Sequence, residues 1–141
     1  MWNLKIVRLF GAKYSLGHVE NIMIRKQFKS PSVHFALVCG SRSCPPLRGE
    51  AYTPEKLEDQ FSDQAQVFLR DSKKNYVDLD SKTTFLSPVF SWFRDDFGKN
   101  DAEVIFLVVE YFEEAEQKAI LRGGFTINYT KFDWSVNQSL D

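Results

Sequence analysis

Between Ser15 and Phe28 the apolar residues Leu16, Val19, Met23 and Ile24 recur at helical spacing. Ser15 is placed to cap the first turn, so this pattern predicts a helix to about Phe28 that Lys29, Ser30 and Pro31 close. The pattern then changes. Val33 to Val38 is a continuous apolar run apart from His34, and its length and bounding turn residues predict a strand buried on both faces over 33–39. Gly40 frees the backbone and Pro45 and Pro46 forbid a regular ladder, so that strand is expected to end in a stiff, tight loop.

Thr53 and Pro54 read as the N-cap and first residue of a helix to about Asp71, with Leu57, Phe61, Ala65 and Phe68 on one face. After a turn at SKKN, Tyr76, Val77 and Leu79 and then residues 83–85 predict two short edge strands. Ser87 and Pro88 repeat the capping pattern for a short helix through VFSWFRDDF, which Gly98 stops. Asp101 is placed to cap a longer helix with apolar positions Val104, Ile105, Val108, Tyr111, Phe112 and Ala115. Beyond Gly123 and Gly124, Phe125, Ile127 and Tyr129 alternate with Thr126, Asn128 and Thr130, which marks a half-buried strand. The tail KFDWSVNQ is expected to be an ordered turn, because its Trp needs a surface to pack on. Helices outnumber strands and no clean βαβ alternation emerges. The expected fold is therefore α+β: a small mixed sheet with a buried central strand at 33–39, covered by about four helices, in a single domain over 1–141.

Composition adds one signal to this picture. Aromatic residues make up 15% of the 141-residue chain, driven by 13 Phe, so the core is bulky or continues into a surface that a partner covers. Lys and Arg number 18 against 19 Asp and Glu, a net charge of -1 that offers no field to attract nucleic acid or anionic lipid. Basic residues are scattered rather than interleaved with aromatics, and no apolar run approaches the roughly 20 residues of a membrane helix. The opening MWNLKIVRLFGAKYS lacks a signal peptide's order of regions, which favours a cytosolic chain. A protein partner, or a second copy meeting an exposed apolar surface, is the expected company. Nucleic acid and membrane insertion are not.

Candidate chemistry centres on Cys39 and Cys44. An odd spacing would put His34 and Cys39 on opposite faces of a straight strand, so a dyad between them needs a bend. Three thiol readings stand beside a purely structural one. Either sulfur is a nucleophile favoured by Arg42 and the loop amides, the two form a redox couple closing a short ring, or they belong to a zinc site. C-x4-C is not a standard zinc spacing and the chain holds only two His, so no metal and no cofactor are expected. In the structural reading Cys39 is a small buried hydrophobe and Cys44 helps the proline turn pack. His34 heads an apolar run, where a hydrogen-bonded structural histidine is the plain alternative. His18 reads as solvated. Asp95 and Asp96 are adjacent on a helix, about 100° apart, and make a poor acid/base pair. Asp133, beside Trp134 and Asn137, either orients a His or ties the tail to its own backbone. No glycine-rich phosphate loop, G-x-S-x-G elbow or H-E-x-x-H motif occurs.

Three stretches resemble a known family. HFALVCGSRSCPPLRGEAYTPEKLEDQF is similar to the central signature of the family catalogued as domain of unknown function 547. LSPVFSWFRDDFG resembles its later motif, in which an aromatic segment precedes Asp-Phe-Gly, and NYTKFDWSVN resembles its closing Tyr-Asp-Trp-Ser-Leu-Asn. They fall in the family's order and cover most of the chain from Ser32 to Asn137. The resemblance carries over Glu20, Arg25, Ser41, Ser43, Asp96, Trp134 and Asn137 as motif residues beside His34, Cys39, Cys44 and Asp133, the catalytic candidates.

Two departures bear on activity. The family's upstream segment, an aromatic-Trp-Ile-Asn and then a Tyr-Asn-Ala helix, has no counterpart, so the chain resembles the C-terminal two thirds or so of the domain, a truncated copy. In SLGHVENIMIR, Leu16, Glu20 and Arg25 match, but Gly17, His18 and Asn21 stand where the family has Asp, Asp and His. An Asn cannot replace that His in proton transfer. The resemblance brings no established reaction. It implies a domain found alone in bacteria, often exported, and joined in eukaryotes to glutaredoxin and DEP modules or leucine-zipper-like segments, and this company suggests thiol chemistry by association only. The expected function is a scaffold or protein-interaction module, the alternative a cysteine-dependent enzyme using Cys39 or Cys44 with a His for thiol exchange or acyl transfer.

Overall fold

The computed structural model describes residues 2–138. An antiparallel hairpin, β1 (Val7–Leu9) and β2 (Ala12–Tyr14), leads into the first long helix. Sequence periodicity missed this hairpin, whose residues alternate too weakly to signal strands. Gly11, at φ 81°, supplies the left-handed turn between its strands. Ser15 caps the helix as expected, its Oγ accepting from the His18 amide at 3.1 Å. The helix α1, residues 16–28, opens as an α-turn at Leu16–His18, widens to a π-helix over Val19–Arg25 and closes as an α-turn at Lys26–Phe28. Lys29, in the left-handed region at φ 49°, ends it.

The next segment overturns the central expectation. Val33–Ala36 is one turn of α-helix, α2, and only from Leu37 onward is the chain extended. The buried central strand at 33–39 does not exist. Pro31 and Ser32 start the turn, their carbonyls accepting from the amides of His34 and Phe35 at 3.1 Å each. Adjacent residues on a helical turn diverge by about 100°, which sends Phe35 into the core and His34 toward a different neighbour. A strand would divide them between two faces of a sheet, and among the described residues no sheet includes this segment. A continuous apolar run has no period from which to tell these outcomes apart.

Pro54 begins a single 3-10 turn, Pro54–Lys56, that continues into α3, Leu57–Leu69. The sheet is small and mixed: β3 (Tyr76–Asp78) pairs antiparallel with β4 (Thr83–Leu86), which pairs in parallel with β5 (Thr126–Tyr129). The α+β class therefore holds, with β4 as the central strand. Two short helices follow, α4 (Val89–Trp92) and α5 (Arg94–Phe97), where a single helix was expected. Gly98 lets the chain pass close to the next helix, since a Cβ there would lie 2.8 Å from that of Glu103. Asn100, not Asp101, caps α6 (Asp101–Val108) by accepting from the Glu103 amide. The long helix expected to reach Ala115 breaks at Phe112, and α7 (Glu114–Leu121) restarts behind a reciprocal Glu113–Glu116 capping box.

Phe35, Phe68, Leu69, Leu86, Phe90, Phe97, Val104 and Val108 are the centre of the core, gathered from α2, α3, β4, α4, α5 and α6. Buried Asn75 joins two of these layers, donating to the Phe68 carbonyl and accepting from the Ser87 amide at 2.9 Å each. Among the described residues no helix is long and apolar enough to cross a membrane.

Candidate functional site

Three elements bring polar side chains together beside the core. From α1 come Asn21 and Arg25, from α2 His34, and from α5 Asp96. Arg25 Nε donates to Asp96 Oδ2 at 2.6 Å, and His34 Nε2 lies 2.7 Å from the same oxygen. Asn21 Oδ1 accepts from Arg25 Nη1 at 2.6 Å, while its amide donates to the Gly17 carbonyl. Phe93 is the floor: the His34 ring stacks on it at 4.2 Å and the Arg25 guanidinium lies over its face at 4.5 Å.

Electrostatics set the protonation of this group. Burial holds His34 below its ordinary range and outweighs the hydrogen bond and charge of Asp96, so the ring is neutral at pH 7. Burial alone would raise Asp96, but its hydrogen bonds from Arg25 and His34 prevail and hold it below the usual carboxylate range. An ionised carboxylate only accepts, so Nε2 of the neutral ring carries the proton and Nδ1 is its acceptor.

The sulfurs sit next to this network and not in it. Cys39 and Cys44 form a disulfide with Cα atoms 6.0 Å apart. Gly40 at φ 81° turns the chain back between them, and the Cys44 amide donates to the Ser41 carbonyl. The hydroxyl of Ser41 lies 3.3 Å from Cys39 Sγ. Neither sulfur is a free thiol in this state, and among the described residues neither His hydrogen-bonds to one. The two cysteines are paired with each other, and Cys39 is an exposed residue instead of a buried hydrophobe.

The C-terminal tail packs along this loop. Arg42 and Ser43 donate their amides to the carbonyls of Ser135 and Asp133, and Asn137 donates to Gly40. Ser43 Oγ accepts from the Asp133 amide at 2.9 Å. The Asp133 carboxylate accepts from the Ser135 amide, which holds it below the usual range. Asp133 thus ties the tail to its own backbone, while the carboxylate that orients His34 is Asp96. Sequence spacing had no means of pairing residues 62 positions apart.

Between α1, the disulfide loop and the tail lies a cavity of about 370 Å³. Trp2, Trp92, Phe93, Phe132 and Trp134 wall it, and His34, Glu20 and both cysteines also line it. Trp92 and Trp134 stack with centroids 5.3 Å apart, and Phe132 is tilted against both at 4.7 and 4.4 Å. Trp2, Trp92 and Phe132 were not among the expected site residues. Trp92 and Phe132 fall inside the two later motif-like stretches, and for Trp2 the high aromatic share was the only trace. Glu20, half-buried on the π-helical stretch, is pushed up by burial against the opposing pull of Arg25. Among the described residues, no group of three or more His, Cys, Asp or Glu side chains is arranged to hold a metal ion.

Comparison with known proteins bears on the first half of the chain. The profile of a family described as "Protein of unknown function, DUF547" matches residues 1–69. That stretch holds Glu20, Arg25, His34 and the disulfide, whereas Asp96, Asp133, Trp134 and Asn137 lie outside it. No curated protein and no solved structure matches the chain.

Proposed function

From the premise that the chain belongs, through residues 1–69, to the DUF547 family, we propose that it acts as one domain and serves as a protein-interaction module, with the aromatic cavity receiving an apolar segment of a partner polypeptide. One observation carries this reading. Five aromatic side chains wall a cavity of side-chain size, yet Trp2, Trp92 and Trp134 are 46%, 48% and 65% exposed. Large rings left this open, beside a rim of backbone hydrogen bonds from the tail, suit a surface that a partner completes. The disulfide and the tail pairing hold the walls in place before any ligand arrives, which lowers the ordering cost of binding.

Short capped peptides with a central Leu are suitable probes, read by tryptophan fluorescence. Saturable quenching is expected, and Trp134→Ala should weaken it by about tenfold, the cost of a modest aromatic anchor. A titration with no saturable change, alongside concentration-dependent dimerisation in sedimentation, would instead assign the cavity to a second copy.

A second reading has its own support: His34, Cys39 and Cys44 border the same cavity. On reduction, a thiol lining the same cavity as a neutral imidazole becomes a candidate for proton transfer and nucleophilic attack. The reduced protein should then react with iodoacetamide at pH 7 faster than free cysteine does. A rate equal to that of free cysteine removes this reading.

A further inference from the structure

Glu20 is the one formally charged side chain on the cavity wall among the described residues, since no Lys, Arg or Asp lines it and burial keeps His34 neutral. Arg25, five residues along α1, is already engaged by Asp96, Asn21 and the face of Phe93. No hydrogen bond or ion pair within the described residues reaches the Glu20 carboxylate. A carboxylate among apolar walls without a partner is costly to keep ionised. A cation would relieve that cost.

Building on the interaction reading above, we infer that the group the cavity selects is an alkylammonium at the end of an apolar stem, as in a lysine side chain of the partner. Two features of the site suit this chemistry and not a neutral or anionic group. The carboxylate supplies the counter-charge, and the part-exposed indole rings of Trp2, Trp92 and Trp134 on the wall offer quadrupole attraction to a cation and apolar contact for its methylenes. Burial pushes the Glu20 carboxyl up, and an ammonium beside it would pull it back toward ionisation.

The test compares N-acetyl-lysine methylamide with N-acetyl-norleucine methylamide, which share a four-carbon stem and differ in the charged head. Tryptophan fluorescence reads both titrations, on the wild type and on Glu20→Gln. The lysine compound is expected to bind at least about tenfold more tightly to the wild type, the scale of one desolvated cation–aromatic contact with its counter-charge. In Glu20→Gln the ratio should fall to about one, with thermal unfolding confirming that the variant is folded. Equal binding of the two compounds to the wild type overturns the inference while leaving the apolar cavity reading intact. A lysine preference that survives Glu20→Gln overturns it as well, because the carboxylate is then not the reader. If neither compound binds, the cavity reading falls and the inference falls with it.

Discussion

Aromatic rings gather in two places, and the two clusters have opposite relations to solvent. Phe35, Phe68, Phe90 and Phe97 meet with centroids 4.5–6.1 Å apart and are at most 4% exposed. Trp92, Phe132 and Trp134 meet at 4.4–5.3 Å, as closely as the first group, yet both tryptophans stay about half exposed or more. Ring-to-ring distance therefore does not distinguish a buried cluster from an open one. What differs is the surroundings. Helices together with the small sheet surround the Phe cluster, whereas the Trp cluster is backed by the short helix α4 and an extended tail and lines the cavity. His34 stands between the two, stacked on Phe93 and tilted against Phe97.

That contrast can be broken by substitution. Phe90→Ala removes a fully buried ring and is expected to cost about 3–5 kcal/mol of stability in urea unfolding. A loss below about 1 kcal/mol would mean that the Phe cluster is not the core.

A pH series sharpens the position of His34. Its pKa in the fold lies below the ordinary 6.5, so the folded state binds fewer protons than the unfolded chain in the window just below that value. The stability contributed by the neutral ring is present above pH 6.5 and is lost as the pH falls from there through the lowered pKa. Asp96, held below 3.8, loses its contribution only in stronger acid. The urea midpoint should therefore fall between pH 7 and pH 5, and His34→Gln should flatten that fall. Glu20, raised by burial, works in the opposite sense, so the His34 contribution is read from the difference between the wild type and His34→Gln. A midpoint rise on acidification that His34→Gln abolishes would show the imidazolium to be the form the fold prefers.

The smallest effect is expected at the open cluster. Trp134→Ala should cost about 1 kcal/mol or less, the value of one aromatic pair, even as it weakens peptide binding. A loss matching that of Phe90→Ala would erase the distinction between the clusters.

Some of this was legible along the chain. Helix α1 announced itself through Ser15 and an apolar stripe, and β3, β4 and β5 through turn residues and alternation, because caps and turns act between residues a few positions apart. The segment at Val33 did not. Its apolar run suits a strand and a helical turn equally, and the choice came from Phe35 meeting Phe68, Phe90 and Phe97 while His34 met Asp96. The break at Phe112 was hidden for a related reason, since helical spacing continued through Ala115 while a local capping box restarted the helix.

By itself, then, the amino-acid order determined the α+β class, the capped first helix, the strands of the small sheet and the family match within residues 1–69. All of these arise from short-range periodicity, turn chemistry or recognisable motifs. Tertiary structure alone decided that the two cysteines bond, that Asp96 and not Asp133 holds His34, and that three tryptophans share one open cavity with Glu20. Each of those depends on distant segments arriving at one place, and chain spacing carries no record of which side chains meet when backbones far apart in sequence pack together.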